Sequence, residues 1–194
     1  MARYKMSSLF FFLNLLLIAG CGSRVYSDEK MKIDQPYLAI FNAVVRKDTF
    51  FFISKGGLKR SFIIGQVDSV VHNEKGWLMN KKPYKLVKMT FSEIGDSLIL
   101  NLERYNEMFV NKDPETGVNS LLIQFNNFYY LQDSLPQKRI GPTYLNEKIC
   151  MDCYILETSD TIKNQGDIKR LYLNTQVGFW GFQTKSGEGW VREE

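Results

Sequence analysis

The stretch Val87-Lys88-Met89-Thr90-Phe91-Ser92-Glu93-Ile94-Gly95-Asp96-Ser97-Leu98-Ile99-Leu100-Asn101-Leu102-Glu103 decides the fold. Gly95-Asp96 is a two-residue turn of the kind that favours a type II′ hairpin. Folding about it sets Phe91 opposite Leu100, Met89 opposite Leu102, Glu93 opposite Leu98 and Lys88 opposite Glu103. One face then carries Val87, Met89, Phe91, Leu98, Leu100 and Leu102. The other carries Lys88, Thr90, Ser92, Asn101 and Glu103, with Ile99 the exception. Turn chemistry and period-two alternation agree, which predicts an antiparallel sheet with one wet face.

Working outward, Phe50-Phe51-Phe52-Ile53 reads as a buried strand. Further strands are predicted at Ser61–Val71, Leu121–Tyr130, Ile149–Glu157, Lys169–Leu173, Phe179–Thr184 and Gly189–Arg192. Gly56-Gly57, Asn73–Gly76, Asp113–Gly117 and Ser186-Gly187 punctuate them. Between Asp34 and Val45, Leu38, Phe41, Val44 and Val45 recur at helical spacing. Asp34 can cap the start and Pro36 suits a first turn. The expected fold is mainly β: a curled antiparallel sheet, sandwich or half-barrel with one short N-terminal helix packed on it.

Composition bounds the function. Hydrophobic residues make up 44% of the 194 and charged residues 24%, the proportions of a folded globular chain. The 25 cations and 21 acids are too evenly matched for a nucleic-acid surface. Lys81, Lys82, Lys85 and Lys88 form a local basic stretch that reads as a solvated face.

The N-terminus is a separate message. Arg3 and Lys5 precede an apolar run from Leu9 to Gly20 broken only by Asn14, and the run closes in Leu16-Leu17-Ile18-Ala19-Gly20-Cys21. As a helix that run spans about 18 Å, short of the roughly 30 Å bilayer core. The closing residues resemble the lipobox of bacterial lipoproteins. The resemblance implies cleavage before Cys21 and lipidation of its thiol and new amine. It divides the chain into a signal peptide (1–20), a lipidated cysteine with a polar tether (21–33) and a single β-rich domain (34–194). Loss of Arg3 and Lys5 leaves the mature chain at about +2. The family sorting rule, with Gly22 rather than aspartate after the cysteine, points to the outer membrane. Ser27-Asp28-Glu29 faintly resembles an acidic surface-export signal.

A second resemblance covers about 25 residues near the C-terminus: Arg170-Leu171-Tyr172, Val177-Gly178-Phe179, Phe182 and Gly187-Glu188-Gly189-Trp190. It is to the closing segment of small uncharacterised lipoproteins of Bacteroides-type bacteria. That family brings no activity, so no catalytic residue carries over.

Few residues carry chemistry. Cys150-Met151-Asp152-Cys153 is a CxxC, open to three readings: a local structural disulfide, two reduced buried thiols, or a redox site. On a regular strand these positions face opposite ways, so a bond between them requires a turn or bulge. A thioredoxin-type site would open a helix, whereas Tyr154-Ile155-Leu156 continues as a strand. With His72 the chain offers three zinc ligands where about four are needed, so no metal or other cofactor is expected. Nothing resembles a nucleophile elbow or a phosphate loop. Aromatic residues are 14% of the chain. Trp180 and Phe182 fall on one strand face of Gly178-Phe179-Trp180-Gly181-Phe182. With Tyr130 they form the candidate binding surface, the glycines allowing close approach of a ligand or another backbone.

The sequence therefore predicts a lipid-anchored envelope protein that binds or assembles rather than catalyses. Its partners are the membrane, through lipid on Cys21, and a glycan, lipid or envelope protein. The competing reading is an envelope enzyme, using thiol–disulfide exchange at Cys150 and Cys153 or a carboxylate-based hydrolase.

Overall fold

A computed structural model describes residues 27, 29–72, 84–94, 106–125, 128–132, 135, 141–158 and 167–193. One helix, α1 (Gln35–Val45), leads into a meander of six strands: β1 (Thr49–Ser54), β2 (Lys59–His72), β3 (Tyr84–Glu93), β4 (Asn106–Lys112), β5 (Asn119–Phe125) and β6 (Phe128–Gln132). A two-strand hairpin, β7 (Pro142–Leu145) and β8 (Lys148–Met151), precedes a second meander of β9 (Tyr154–Glu157), β10 (Ile168–Asn174), β11 (Gly178–Thr184) and β12 (Gly189–Arg192).

The two meanders join through β1 and β12 into one ten-stranded sheet in the order β6-β5-β4-β3-β2-β1-β12-β11-β10-β9, with every pairing antiparallel. The sheet curls until distant strands meet. Phe125 on β5 lies 5.7 Å from Phe179 and 5.5 Å from Phe182 on β11, although five strands separate β5 from β11 in the sheet. The result is a nearly closed barrel.

Strict alternation fills it. Phe50 and Phe52 of β1 point inward, as do Phe62, Val87, Met89, Phe91, Met108, Val110, Leu121, Ile123 and Phe125 of the following strands, all buried. The rings stack offset or meet edge to face, so the interior is a packed core. Burial of each such ring contributes about 2–3 kcal/mol. Outward positions such as Lys88, Thr90 and Ser92 are half-buried or exposed. Among the described residues, no helix is long and apolar enough to cross a membrane.

The helix closes one end of the barrel. Its Tyr37, Ile40, Phe41 and Val44 are buried, and it reaches β4 on one side and β11 on the other. Asp34 precedes the first turn without a side-chain capping bond. Its carboxylate instead takes Lys112 Nζ at 3.0 Å and the side-chain amide of Asn119, pinning the helix start to the β4–β5 turn. Ile33 is 3% exposed within the core. Packing thus begins one residue before the expected boundary, because an apolar side chain at the helix entrance can cover the barrel end. At the opposite end Arg60 forms a bidentate pair with Glu93, at 2.6 and 2.5 Å. Its guanidinium lies 5.6 Å from the ring centroids of Phe62, Phe182 and Trp190.

Three expectations need correction. Gly95-Asp96 and Leu98–Glu103 lie outside the described residues, but the register of β3 is fixed on both edges. Phe91 pairs with Ile64 on β2 and Asn106 on β4. Strand β4 presents Met108 and Val110 to the same interior and also pairs with β5. The face assignment within β3 stands, with Val87, Met89 and Phe91 inside. The predicted strand Leu121–Tyr130 is two strands, β5 and β6. Ile149–Glu157 is likewise β8 and β9, divided at Asp152-Cys153.

Candidate functional site

The third correction concerns the strand that carries Trp180. Between β10 and β11, Tyr172 pairs with Gly181 but Leu173 pairs with Phe179, so Trp180 is an extra residue in β11. Such a bulge re-aims a side chain. Phe179 and Phe182 both enter the interior, each 0% exposed. Trp180 turns to the outer wall, half-buried, its ring centroid 6.1 Å from that of Tyr172 in an edge contact. Tyr130 is on the interior side of β6, 5% exposed. The three aromatics of the candidate surface are not brought together: only Trp180 faces outward.

The β7–β8 hairpin lies over this outer wall. Asn146 and Glu147 both have left-handed φ, 52° and 66°, which makes a two-residue turn of the type I′ kind. Leu145 packs with Tyr172 and Val191 and with the partly buried Ile155 and Trp180, forming a second, smaller core. Gly181 makes the contact close: a Cβ there would stand 2.6 Å from the Trp190 carbonyl oxygen and 3.1 Å from Leu145 Cδ2. Asn146 Nδ2 donates to the Gly189 carbonyl at 2.5 Å. The close approach expected of this glycine is made by the chain's own hairpin.

The base of the hairpin is stapled. Cys150 and Cys153 are joined as a disulfide, with Cα atoms 6.1 Å apart. Asp152, at φ 56°, supplies the turn that a bond between these positions requires. Asp152 Oδ1 accepts from the Gly141 N–H at 3.3 Å, and Asn174 Nδ2 donates to the Met151 carbonyl at 3.0 Å. The cysteines are 2% and 0% exposed. Thiol–disulfide exchange needs a thiolate to reach a sulfur, and these are enclosed. The geometry is that of a staple.

Between the hairpin base, the C-terminal end of α1 and the turn from β10 to β11 lies a cleft of about 670 Å³. Trp180, Val177 and Met151 give it apolar wall. Arg46, Lys47 and Lys148 stand exposed around it, and none of the three forms an ion pair among the described residues. Arg192 is buried against it. Its guanidinium donates to the carbonyls of Val177 and Phe179 and stands 5.6 Å from the Phe50 centroid. Burial pulls its pKa down from the ordinary guanidinium range. The cleft therefore has four cationic side chains, one acid (Asp152) and one outward-turned indole.

On the other flank of the hairpin a hollow of about 430 Å³ is bounded by Tyr144, Tyr172 and the Arg170–Glu157 pair, whose Nε–Oε1 separation is 2.5 Å. Its two charges satisfy each other, and the hydrogen bond that Arg170 donates to Glu157 raises the Arg170 pKa. Cys21 lies outside the described residues, and His72 closes β2. Among the described residues no group of three or more His, Cys, Asp and Glu is placed to hold a metal.

The cations of the cleft went unremarked in the sequence because they come from three separated segments, 46–47, 148 and 192. No local pattern marks them. No protein family, curated protein or solved structure matches this chain. The cleft is read on its own chemistry.

Proposed function

We propose that the protein is a lipid-anchored component of the bacterial envelope, held in the outer membrane through Cys21, that works by binding at the cleft beside Trp180. The lipobox-like run ending in Cys21 supports the anchor. The observation that carries the binding role is the bulge at Trp180. It takes a large amphipathic ring out of a strand whose neighbours, Phe179 and Phe182, are fully buried, and sets it beside cations that form no ion pair among the described residues. On the outer wall the ring packs against the second core on one side and borders the cleft on the other. The enclosed disulfide favours binding over thiol exchange.

Trp180→Ala and Phe182→Ala separate recognition from stability. Removing the interior Phe182 should cost about 3–5 kcal/mol, and removing the half-buried Trp180 clearly less, about 1–2 kcal/mol. The full chain would be screened against envelope glycans and lipids. Trp180→Ala should abolish capture while its urea midpoint falls clearly less than that of Phe182→Ala. Capture that survives in Trp180→Ala would leave the cleft without a role.

A further inference from the structure

The outer face of the β7–β8 hairpin is apolar throughout. Pro142 pairs with Met151 and Tyr144 with Ile149, and all four side chains point to solvent. Tyr144 is 66% exposed, Ile149 52% and Met151 56%. Their alternates, Thr143, Leu145 and Cys150, are buried against the barrel. A two-stranded ribbon with apolar residues on both faces has the inner face accounted for and the outer one unpartnered. Contiguous exposed apolar patches mark contact surfaces.

Charge identifies the partner. Arg46, Lys47 and Lys148, which form no ion pair among the described residues, border the same two residues, Ile149 and Met151, that carry the apolar face. Glu147 pairs with Lys55 at 3.3 Å and Glu157 with Arg170, which leaves Asp152, bonded to the Gly141 N–H, as the one acid of the cleft against these cations. Apolar tips with a cationic border suit an interface in which acyl chains lie beneath anionic headgroups. The disulfide and the Asn146–Gly189 bond hold the ribbon so that this face cannot turn inward.

We infer that the β7–β8 face seats on an anionic lipid surface, with Tyr144, Ile149 and Met151 entering the headgroup layer and Arg46, Lys47 and Lys148 pairing with lipid phosphates. This rests on the binding reading of the cleft and names its partner. It does not depend on lipid at Cys21. The contact holds the domain down on its hairpin side, so the cleft opens at the membrane rather than toward bulk water.

Full-chain Tyr144→Trp and Tyr129→Trp proteins test it, since Tyr129 is also exposed, at 53%, on β6. Each is mixed with vesicles of phosphatidylethanolamine and phosphatidylglycerol whose acyl chains carry bromine, and fluorescence quenching is compared with the parent chain. The added indole at 144 should be quenched several-fold more than that at 129. The difference should collapse in phosphatidylcholine vesicles and in the Arg46→Glu/Lys47→Glu/Lys148→Glu protein, whose melting temperature is checked alongside. Equal quenching at the two positions, or a signal at 144 indifferent to lipid charge, overturns the inference. So does sedimentation showing that the face is buried in a dimer without lipid. Failure here leaves the Trp180→Ala comparison untouched, so the two readings fail separately.

Discussion

Gly178 and Val44 meet backbone to backbone. A Cβ built on Gly178 would collide with the Val44 side chain and stand 2.8 Å from the Val44 nitrogen. Gly178 also holds a φ of +76°, where side chains are disfavoured. Gly178→Ala should therefore cost about 3 kcal/mol, combining overpacking with backbone strain. A Val44→Ala change in the same chain should restore part of that, since only the side-chain clash is relieved. Urea midpoints of the single and double variants check both statements, and full tolerance of Gly178→Ala would mean that the helix does not rest there.

Tyr130 gives the fold an alkaline limit. Burial, and secondarily the nearby Tyr37, push its phenol up to about 12 from an ordinary 10.0. A phenol that holds its proton more tightly when folded contributes stability that is whole below pH ~10 and is lost as pH rises through about 12. The loss is of order 2–3 kcal/mol. Tyr130→Phe should flatten the fall between those pH values. At neutral pH it should change stability by about 1 kcal/mol through the lost bond to Gln132, 3.0 Å long. Parallel pH slopes in the two proteins would mean that the phenol is not the titrating group.

Cys150→Ser/Cys153→Ser should lower stability by about 2 kcal/mol, the entropy of one very short loop. The wild-type chain should reduce insulin no faster than the buffer does. Insulin reduction by wild type that the double variant lacks would restore the redox reading.

Cys21→Ser tests the anchor. Cells grown with radiolabelled palmitate should label the wild-type chain and not the variant, and a high-salt wash should release the variant, but not the wild type, from the membrane fraction. Equal label in both would remove the lipoprotein assignment.

Much of the architecture could be read from side-chain period alone. Phe50-Phe51-Phe52-Ile53 is a strand by its alternation, and Ser61–Val71, Phe179–Thr184 and Gly189–Arg192 are strands flanking turns marked by Gly57 and Gly187. Asp34 to Val45 is helical for the spacing of Leu38, Phe41, Val44 and Val45. What escaped was set by distant partners. Asn106–Lys112 has only Met108, Phe109 and Val110 to announce it, and it becomes a strand because β3 and β5 flank it. The bulge at Trp180 leaves no trace in Gly178-Phe179-Trp180-Gly181-Phe182, since alternation counts residues and a bulge miscounts by one. The ring at the candidate site was legible, and its direction was not. The cationic border needed the fold to bring Arg46, Lys148 and Arg192 together.

The seam between β1 and β12 sets an order of assembly. Phe52 pairs with Arg192 and Ser54 with Trp190, so the first strand of the barrel waits for the last before its second edge is occupied. Contacts of that sequence separation form late. A chain folding from its N-terminus would hold Phe50 and Phe52 with one flank of β1 unsealed, and the sheet would become continuous only when Gly189–Arg192 arrived. Strand β12 is then a timing element: one edge of β1 stays open until it docks.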